Sequence, residues 1–279
     1  MSFFQVATCQ FPVSADIQRN SRYMQRMIQA AAAQGARVVH FPESALSGYA
    51  GTNLKTWEGY DWERLGVESE KIRALARDCS VWVLFGSAHR LSEGHLPHNS
   101  VYVVDPAGEI VERYDKRFCT QSDLEYYTPG NRLALFEIEG LRCGVLICHD
   151  VRYPELNRKY HSAGVRCLFY SFYNASAEGK KIHTIIMRPS LQAHAANNHM
   201  WLSVSNASTY YQTWPSVFVA PDGRILQSLR QHRSGMMINT VDTEEEFLDK
   251  CSFKDLAIKG ILHSGTLVDD PRSEVRDSF

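Results

Sequence analysis

The turn after Ile147 carries the residue best suited to covalent chemistry, Cys148. The apolar run from Leu141 to Ile147 is too short for a helix and is typical of a buried strand, and Cys148 falls where that strand ends. The polar residues that follow, with Pro154, predict a sharp turn into a helix. We therefore expect the thiol beside unpaired backbone N–H groups, which stabilise a thiolate. An isolated cysteine is more often an inert core residue, so its role depends on two other stretches.

Two charged residues occupy comparable positions elsewhere in the chain. Glu43 follows the apolar stretch 36–41, and Lys116 follows the predicted strand 109–114. Parallel strands bring their tips to one end of a sheet, so we expect the thiol, the carboxylate and the ammonium to converge. Together they would supply a nucleophile, a base and an electrostatic stabiliser. Taken alone, Glu43 would fit an ordinary solvated loop equally well.

The composition restricts the classes of partner. The 279 residues include 30 Lys and Arg against 31 Asp and Glu, without a basic block, so no charge pattern favours nucleic acid or an anionic membrane. The chain starts directly with a strand-like pattern and contains no apolar run of roughly 18 residues. Seven scattered cysteines without a C-x-x-C pair are typical of reduced thiols. We expect a soluble cytoplasmic protein that acts on a small molecule.

Alternating strand and helix patterns predict one α/β domain over residues 1–279. Strand 3–10, helix 16–34 and strand 36–41 follow one another so closely that the strands should be parallel. Two hairpins with Pro-x-Gly turns, 101–114 and 216–225, share one sequence frame and indicate two similar halves. The remaining pattern predicts helices over 69–78, 153–163 and 181–198, and strands over 81–88, 133–138, 141–147, 165–170, 201–205 and 235–241.

At this point the chain resembles the nitrilase superfamily of carbon–nitrogen hydrolases, over about residues 3 to 241. The resemblance is supported by YTPGN at 127–131 and by both Pro-x-Gly hairpins. It implies an α/β fold of four layers, an αββα sandwich, whose subunits pair through their helix layers. The resemblance rests mainly on the motifs FPE at 41–43 with SGY at 47–49, YDK at 114–116 and ICHDVRYPE at 147–155.

The resemblance also implies the catalytic roles. Glu43 would take the proton from Cys148 as the sulfur attacks a carbonyl carbon, and the resulting thioester would be hydrolysed by water. Lys116 and the backbone N–H of His149 would stabilise the oxyanion. The reaction requires no metal and no cofactor.

A second acidic residue after the lysine is implied as well, and Glu125 matches its spacing best, with Asp123 as the competitor. The chain departs from the family pattern at 116–119, where KRFC replaces the usual Lys-x-His-Leu. It also departs at 193–198, where AHAANN lacks the usual charged pair. The histidines of the long helix, His183, His194 and His199, have no partners at metal-ligand spacing.

Arg152 is the main clue to the substrate, because a guanidinium four residues after Cys148 suits a carboxylate. Its alternative role is an ion pair with Glu155. Tyr49 and Asn174 are further candidates for substrate binding. We therefore expect hydrolysis of a small, carboxylate-bearing amide or carbamoyl compound.

Two other functions remain open. A nitrilase or simple aliphatic amidase would use the same residues on a neutral substrate, and a catalytically silent member would bind a small molecule or a partner protein. A homodimer or an assembly of dimers is expected. The charged stretch 242–279 is predicted to be a C-terminal extension that contacts a neighbouring subunit.

Overall fold

The computed structural model describes residues 2–175, 182–247, 253–260, 263, 265–273 and 275–276. Three sequence predictions therefore fall wholly or partly outside the described residues: Lys181 as a helix start, Cys251 as a thiol, and residues 248–252, 261–262, 264, 274 and 277–279 of the extension.

Strands and helices alternate as the sequence pattern predicts. The largest difference in a boundary is that helix α2 begins at Trp62, not at residue 69, because the Asp61 side chain caps it by accepting a hydrogen bond from the Arg64 N–H at 2.8 Å. The strands are β1 Phe3–Gln10, β2 Val38–His40, β3 Trp82–His89, β4 His98–Val104, β5 Ile110–Asp115, β6 Leu135–Ile138, β7 Leu141–Ile147, β8 Cys167–Phe172, β9 Trp201–Asn206, β10 Val217–Val219, β11 Ile225–Ser228 and β12 Gly235–Asp242. The helices are α1 Ile17–Ala33, α2 Trp62–Asp78, α3 Pro154–Ser162, α4 Ile182–Asn198 and α5 Phe253–Lys259.

The strands form two six-stranded sheets that confirm the predicted αββα sandwich. The first has the order β12-β1-β2-β3-β4-β5 and the second β11-β10-β9-β8-β7-β6. In each sheet three parallel strands, β1 to β3 and β7 to β9, lie between antiparallel ones. Buried Met24 of α1 and Ile72 of α2 pack on the first sheet, and Tyr160 of α3 and Leu191 of α4 on the second. The catalytic candidates lie at strand ends of this sandwich.

The two Pro-x-Gly hairpins hold equivalent places in the two halves, as their shared sequence frame predicts. Gly108 and Gly223 have φ values of 82° and 87°, which favour glycine. A Cβ on them would lie 2.8 Å from the Arg73 carbonyl oxygen of α2 and 2.9 Å from the Gln192 carbonyl oxygen of α4. Each glycine carbonyl accepts a 2.8 Å hydrogen bond from the side chain of that same helix residue. Each hairpin is thus fixed to the helix that covers its own sheet.

Part of the C-terminal extension packs on the body of its own chain. The carbonyl oxygens of Ala257 and Ile258 in α5 lie 3.3 Å from Arg158 Nη1 and 3.1 Å from His161 Nε2 of α3. None of the helices in the described ranges is both long enough and apolar enough to cross a bilayer.

Candidate active site

Glu43 lies just beyond β2, in a turn that is fixed by close contact with β3. The backbone N–H of Gly86 donates to Pro42 at 3.2 Å, and the Leu46 N–H donates to Gly86 at 2.9 Å. A Cβ on Gly86 would lie only 2.3 Å from the Ser44 nitrogen, so the turn requires glycine at this position. The Glu43 side chain is completely buried.

Lys116 follows β5 and is held by its backbone on both sides. Its N–H donates to the Asn99 carbonyl at 2.8 Å, and its carbonyl accepts from the Gly130 N–H at 2.9 Å. A Cβ on Gly130 would lie 2.4 Å from the Asp115 carbonyl oxygen, which explains the glycine of the YTPGN motif. The ammonium is carried into the interior, where Lys116 is 1% exposed.

Cys148 is the first residue of a short 3-10 turn and has a φ of 44°, an uncommon conformation for a residue with a side chain. The fully buried Asp150 holds this turn. Its carboxylate accepts hydrogen bonds from the Ile147 N–H at 3.0 Å, the Tyr114 hydroxyl at 2.9 Å and the Phe118 N–H at 2.9 Å. Because the last two residues flank the Lys116 segment, Asp150 ties the cysteine to the lysine.

A buried cluster of charges joins these segments. Lys116 Nζ donates to Glu43 Oε1 at 2.8 Å and to Asp123 Oδ2 at 2.9 Å. Glu43 Oε1 also accepts from the Asn99 side-chain amide at 2.7 Å, and its Oε2 accepts from the Tyr173 N–H at 2.7 Å. One ammonium therefore pairs with two carboxylates in a buried site, and its single positive charge balances only one of them.

Burial and these charges set the protonation states. Burial raises the pKa of Glu43, and the nearby Lys116 opposes that rise. Burial alone would lower the pKa of Lys116, but the surrounding anionic groups, Glu43 first, raise it well above its usual value. Burial and the Glu43 charge raise the pKa of Cys148 despite Lys116, so the thiol is protonated at rest. The N–H groups of the turn therefore do not lower the pKa of this thiol below its usual range, and attack on a carbonyl requires a base, which is the role that the family resemblance implies for Glu43.

The contact with Lys116 that was expected of Glu125 is made by Asp123. The Asp123 carboxylate accepts from the Thr120 N–H at 2.8 Å and from the Tyr49 hydroxyl, which orients it inward. Glu125 lies two residues later on the 3-10 turn Asp123–Glu125, and its side chain is exposed. Sequence spacing did not reveal which side of this turn faces the lysine.

Cys148 opens into a cavity of about 520 Å³. Two of its walls are the stacked rings of Tyr49 and Tyr173, with centroids 4.7 Å apart. Asn174 also lines the cavity, and its Oδ1 accepts from the Thr213 hydroxyl at 2.7 Å, which fixes the amide. Other lining residues are Ala50, Gly51, Thr52, Thr120, Ser122, Asp123, Glu125, Tyr126 and His183. The structure thus brings four of the predicted site residues, Tyr49, Glu125, Asn174 and Cys148, to one cavity.

Two candidate residues lie at the edge of this arrangement. Arg152 is exposed and does not line the cavity, and no carboxylate in the described part of the chain, Glu155 included, lies within 4.0 Å of it. The half-buried His149 ring meets the Tyr153 ring edge-on at a centroid distance of 5.7 Å, and burial and Lys116 lower its pKa. His149 therefore carries little positive charge near neutral pH.

Sequence reasoning missed three residues of the site: Asn99, Tyr173 and Asp150. Asn99 and Tyr173 bind Glu43 from 56 and 130 residues away, and only strand pairing brings them there. Asp150 stands in the motif that follows the cysteine, and its short polar side chain after a buried strand was the available signal. Across the described ranges, no group of three or more His, Cys, Asp or Glu side chains is arranged to hold a metal ion.

The chain is similar to known proteins in both fold and sequence. The fold is that of nitrilase-superfamily amidases: the amidase of Nesterenkonia sp. has a TM-score of 0.76 at 20% identity, over 85% of this chain and 90% of that one. The profile of the carbon–nitrogen hydrolase family matches residues 5–246. The chain belongs to the carbon–nitrogen hydrolase family.

Omega-amidases are among its relatives. The omega-amidase NIT2 of Xenopus tropicalis is 26% identical over 240 residues, 81% of this chain and 84% of that protein. The zebrafish enzyme of the same name, from Danio rerio, is 30% identical over 61% of this chain and 63% of its own. A structure of a variant of the Nesterenkonia amidase shows the acetamide moiety of fluoroacetamide added covalently at the active-site cysteine. The protein is therefore an amidase-like enzyme that acts on the C–N bonds of amides.

Proposed function

We propose that the protein hydrolyses a small amide through a thioester on Cys148, with Glu43 and Lys116 as the other members of a catalytic triad. The observation that carries the proposal is the buried Glu43–Lys116 pair, 2.8 Å apart, whose charges act on the cysteine at the cavity. A protonated thiol beside a buried carboxylate of raised pKa suits general-base activation. The acetamide moiety bonded to the active-site cysteine of a Nesterenkonia amidase variant supports the assignment of a cysteine as the nucleophile.

The proposed reaction has two stages. Glu43 removes the thiol proton while the sulfur of Cys148 bonds to the amide carbon, and the oxyanion accepts hydrogen bonds from Lys116 and the His149 N–H; one such donor contributes about 3 kcal/mol. The C–N bond breaks, and Glu43 returns the proton to the departing ammonia or amine. Glu43 then deprotonates a water molecule that attacks the thioester. A carboxylic acid leaves and the thiol is restored.

Asp123 would assist by holding Lys116. Its pKa is lowered by Lys116 and by the Tyr49 hydroxyl against the effect of burial, so it remains ionised. A second carboxylate on the ammonium fixes its direction while Glu43 gains and loses a proton. We assign Asp123 as a positioning residue.

We further propose that the acyl part of the substrate carries a carboxylate. The support is the resemblance to omega-amidases and the presence of Arg152, an exposed guanidinium without an ion pair in the described chain, on the turn that bears Cys148. The proposal also includes a cytoplasmic location, since the cysteines described by the structure are all unpaired.

Arg152→Ala tests the carboxylate. Since exposed ion pairs contribute about 0.2–1 kcal/mol, kcat/KM for a carboxylate-bearing amide should fall roughly 1.5- to fivefold. A neutral amide of similar size, the matched control, should be hydrolysed equally by both proteins. Equal losses on both substrates, with a lower melting temperature, would show that Arg152 supports the scaffold instead.

Ammonia release over a panel of amides, carbamoyl amino acids and nitriles tests the function as a whole. Turnover of amides or carbamoyl compounds alone supports the proposal. Preferred turnover of nitriles would make the protein a nitrilase. No turnover of any member by folded protein would favour a catalytically silent binding protein.

A further inference from the structure

A second cavity of about 470 Å³ lies between α2 and the outer face of strands β3 to β5. It shares no lining residue with the cavity at Cys148. Its volume is that of a small-molecule site, and three large aromatic side chains contribute to its lining. The rings belong to Trp62, Phe85 and Tyr102, and the last two stack with centroids 5.5 Å apart.

One buried polar atom in this lining requires a partner. The Ser87 side chain is 1% exposed, and its hydroxyl makes no hydrogen bond to any residue that the structure describes. Burying a hydroxyl without a partner is unfavourable, so a ligand with a hydrogen-bonding group would gain specificity here. Successive side chains of a strand point to opposite faces of the sheet. The Ser87 side chain therefore lies on the face of β3 opposite to Gly86 and Ala88, which is the face that the helices cover.

The charges around the cavity nearly cancel. Arg73 is paired with Glu70 at 2.9 Å and with Glu109 at 3.1 Å. The two remaining lining charges, Arg90 and Glu63, are exposed and of opposite sign. These features fit an uncharged aromatic molecule better than an anion or a cation.

The strands that form this cavity also hold the catalytic pair. The N–H groups of Gly86 and Ala88, the neighbours of Ser87, donate to the Pro42 carbonyl at 3.2 Å and to the Ser47 hydroxyl at 3.0 Å, on either side of Glu43. A molecule that displaces β3 would therefore displace the turn that carries the base.

A second connection reaches the lysine. The lining residue His89 accepts from Arg113 Nη1 at 2.8 Å, and Arg113 pairs with Asp115 through bonds of 2.8 and 3.0 Å. Asp115 immediately precedes Lys116. Both members of the buried ion pair are thus within one or two contacts of the second cavity.

We propose that the second cavity binds a small, uncharged aromatic molecule through Ser87 and the aromatic walls, and that its occupancy changes the rate of amide hydrolysis. The rate effect rests on the proposed function, whereas binding does not. Binding and catalysis are therefore measured separately.

The test uses indole as the probe and the full-length protein. Gly66 lines the cavity from α2, and a Cβ there meets nothing within 4 Å, so Gly66→Phe should fill the cavity without disturbing the backbone, with Gly66→Ala as the matched control. By titration calorimetry, indole should bind wild type and Gly66→Ala saturably and Gly66→Phe not at all. Ser87→Ala should weaken indole roughly three- to tenfold and leave 1-methylindole, which lacks the N–H, unchanged.

Hydrolysis of a short amide supplies the second readout. Saturating indole should change kcat/KM at least about twofold in wild type and Gly66→Ala, and should leave the rate of Gly66→Phe at that variant's own basal value. Equal binding of indole to Gly66→Phe, or no binding to wild type, would overturn the site. Binding with an unchanged rate would overturn the coupling.

Discussion

At the scale of residues, the site is defined by one buried ammonium between two carboxylates. Lys116 lowers the pKa of Asp123, which stays ionised. Burial raises the pKa of Glu43 more than Lys116 lowers it. The two acids therefore have different chemistry although both bind the same Nζ at 2.8 and 2.9 Å. This difference supports the proposed roles of Glu43 as the base and Asp123 as the positioning residue.

Asp123→Asn and Glu125→Gln form a matched pair that tests this assignment. Loss of the buried charge beside Lys116 should lower kcat roughly 10²- to 10³-fold, a cost of about 3–4 kcal/mol. The exposed Glu125 should matter less than about threefold. Steady-state kinetics of folded variants, checked by thermal unfolding, distinguishes them, and a larger loss in Glu125→Gln would reverse the assignment.

Glu43 and Lys116 follow β2 and β5, two strands that run in the same direction in the first sheet, so their approach could be predicted from strand ends. Cys148 follows β7 of the second sheet, so the stacking of the two sheets, and not the edge of one parallel sheet as expected, brings it to them. The choice between Asp123 and Glu125 could not be predicted, since both acids fit the spacing and only the hydrogen bonds of the turn decide which points inward.

At the scale of elements, glycines allow the catalytic turns to approach the strands. Gly86 brings the Glu43 turn against β3, and Gly130 brings the YTPGN segment against the end of β5. Side chains at these positions would overlap backbone atoms that cannot move independently. The positions of the strands could be predicted from the sequence. The close contacts at Gly86 and Gly130 could not, because they depend on segments that only the folded sheet brings together.

Gly86→Ala should therefore lower stability and activity together. Its Cβ would lie 2.3 Å from the Ser44 nitrogen, and relieving that overlap should cost about 1–3 kcal/mol and displace Glu43. Gly66→Ala, in the open middle of α2, should instead stabilise by about 0.5–1 kcal/mol. The melting temperature and kcat of both variants are measured by calorimetry and steady-state kinetics. A Gly86→Ala protein with the melting temperature and kcat of wild type would mean that the turn does not need this glycine.

At the scale of the whole molecule, the helix layer over the second sheet presents apolar side chains to solvent. Ile182 and Ile185 of α4 are 57% and 71% exposed, and the neighbouring Pro189 is exposed as well. An apolar helix face of this kind is typical of subunit contacts. We propose, as the family resemblance implies, that two subunits pair through this layer and that the extension 242–279 contributes to assembly.

Ile185→Arg should weaken this assembly, because a charge would be buried between the subunits. Val67→Arg, an exposed apolar position of α2 on the other face, is the matched control and should remain associated. Removing residues after about 250 should also weaken assembly. Analytical ultracentrifugation at micromolar concentration reports the mass, and a monomeric wild-type protein would contradict the proposed dimer.

The central claim, a thioester on Cys148, is tested most directly by trapping the enzyme with a slowly hydrolysed amide and locating the added mass. Fragmentation of the peptide that contains both cysteines should place one acyl group on Cys148 and none on the buried Cys143. Cys148→Ala should carry no adduct and show no turnover while keeping its fold. An adduct on another residue, or full activity in Cys148→Ala, would contradict the claim.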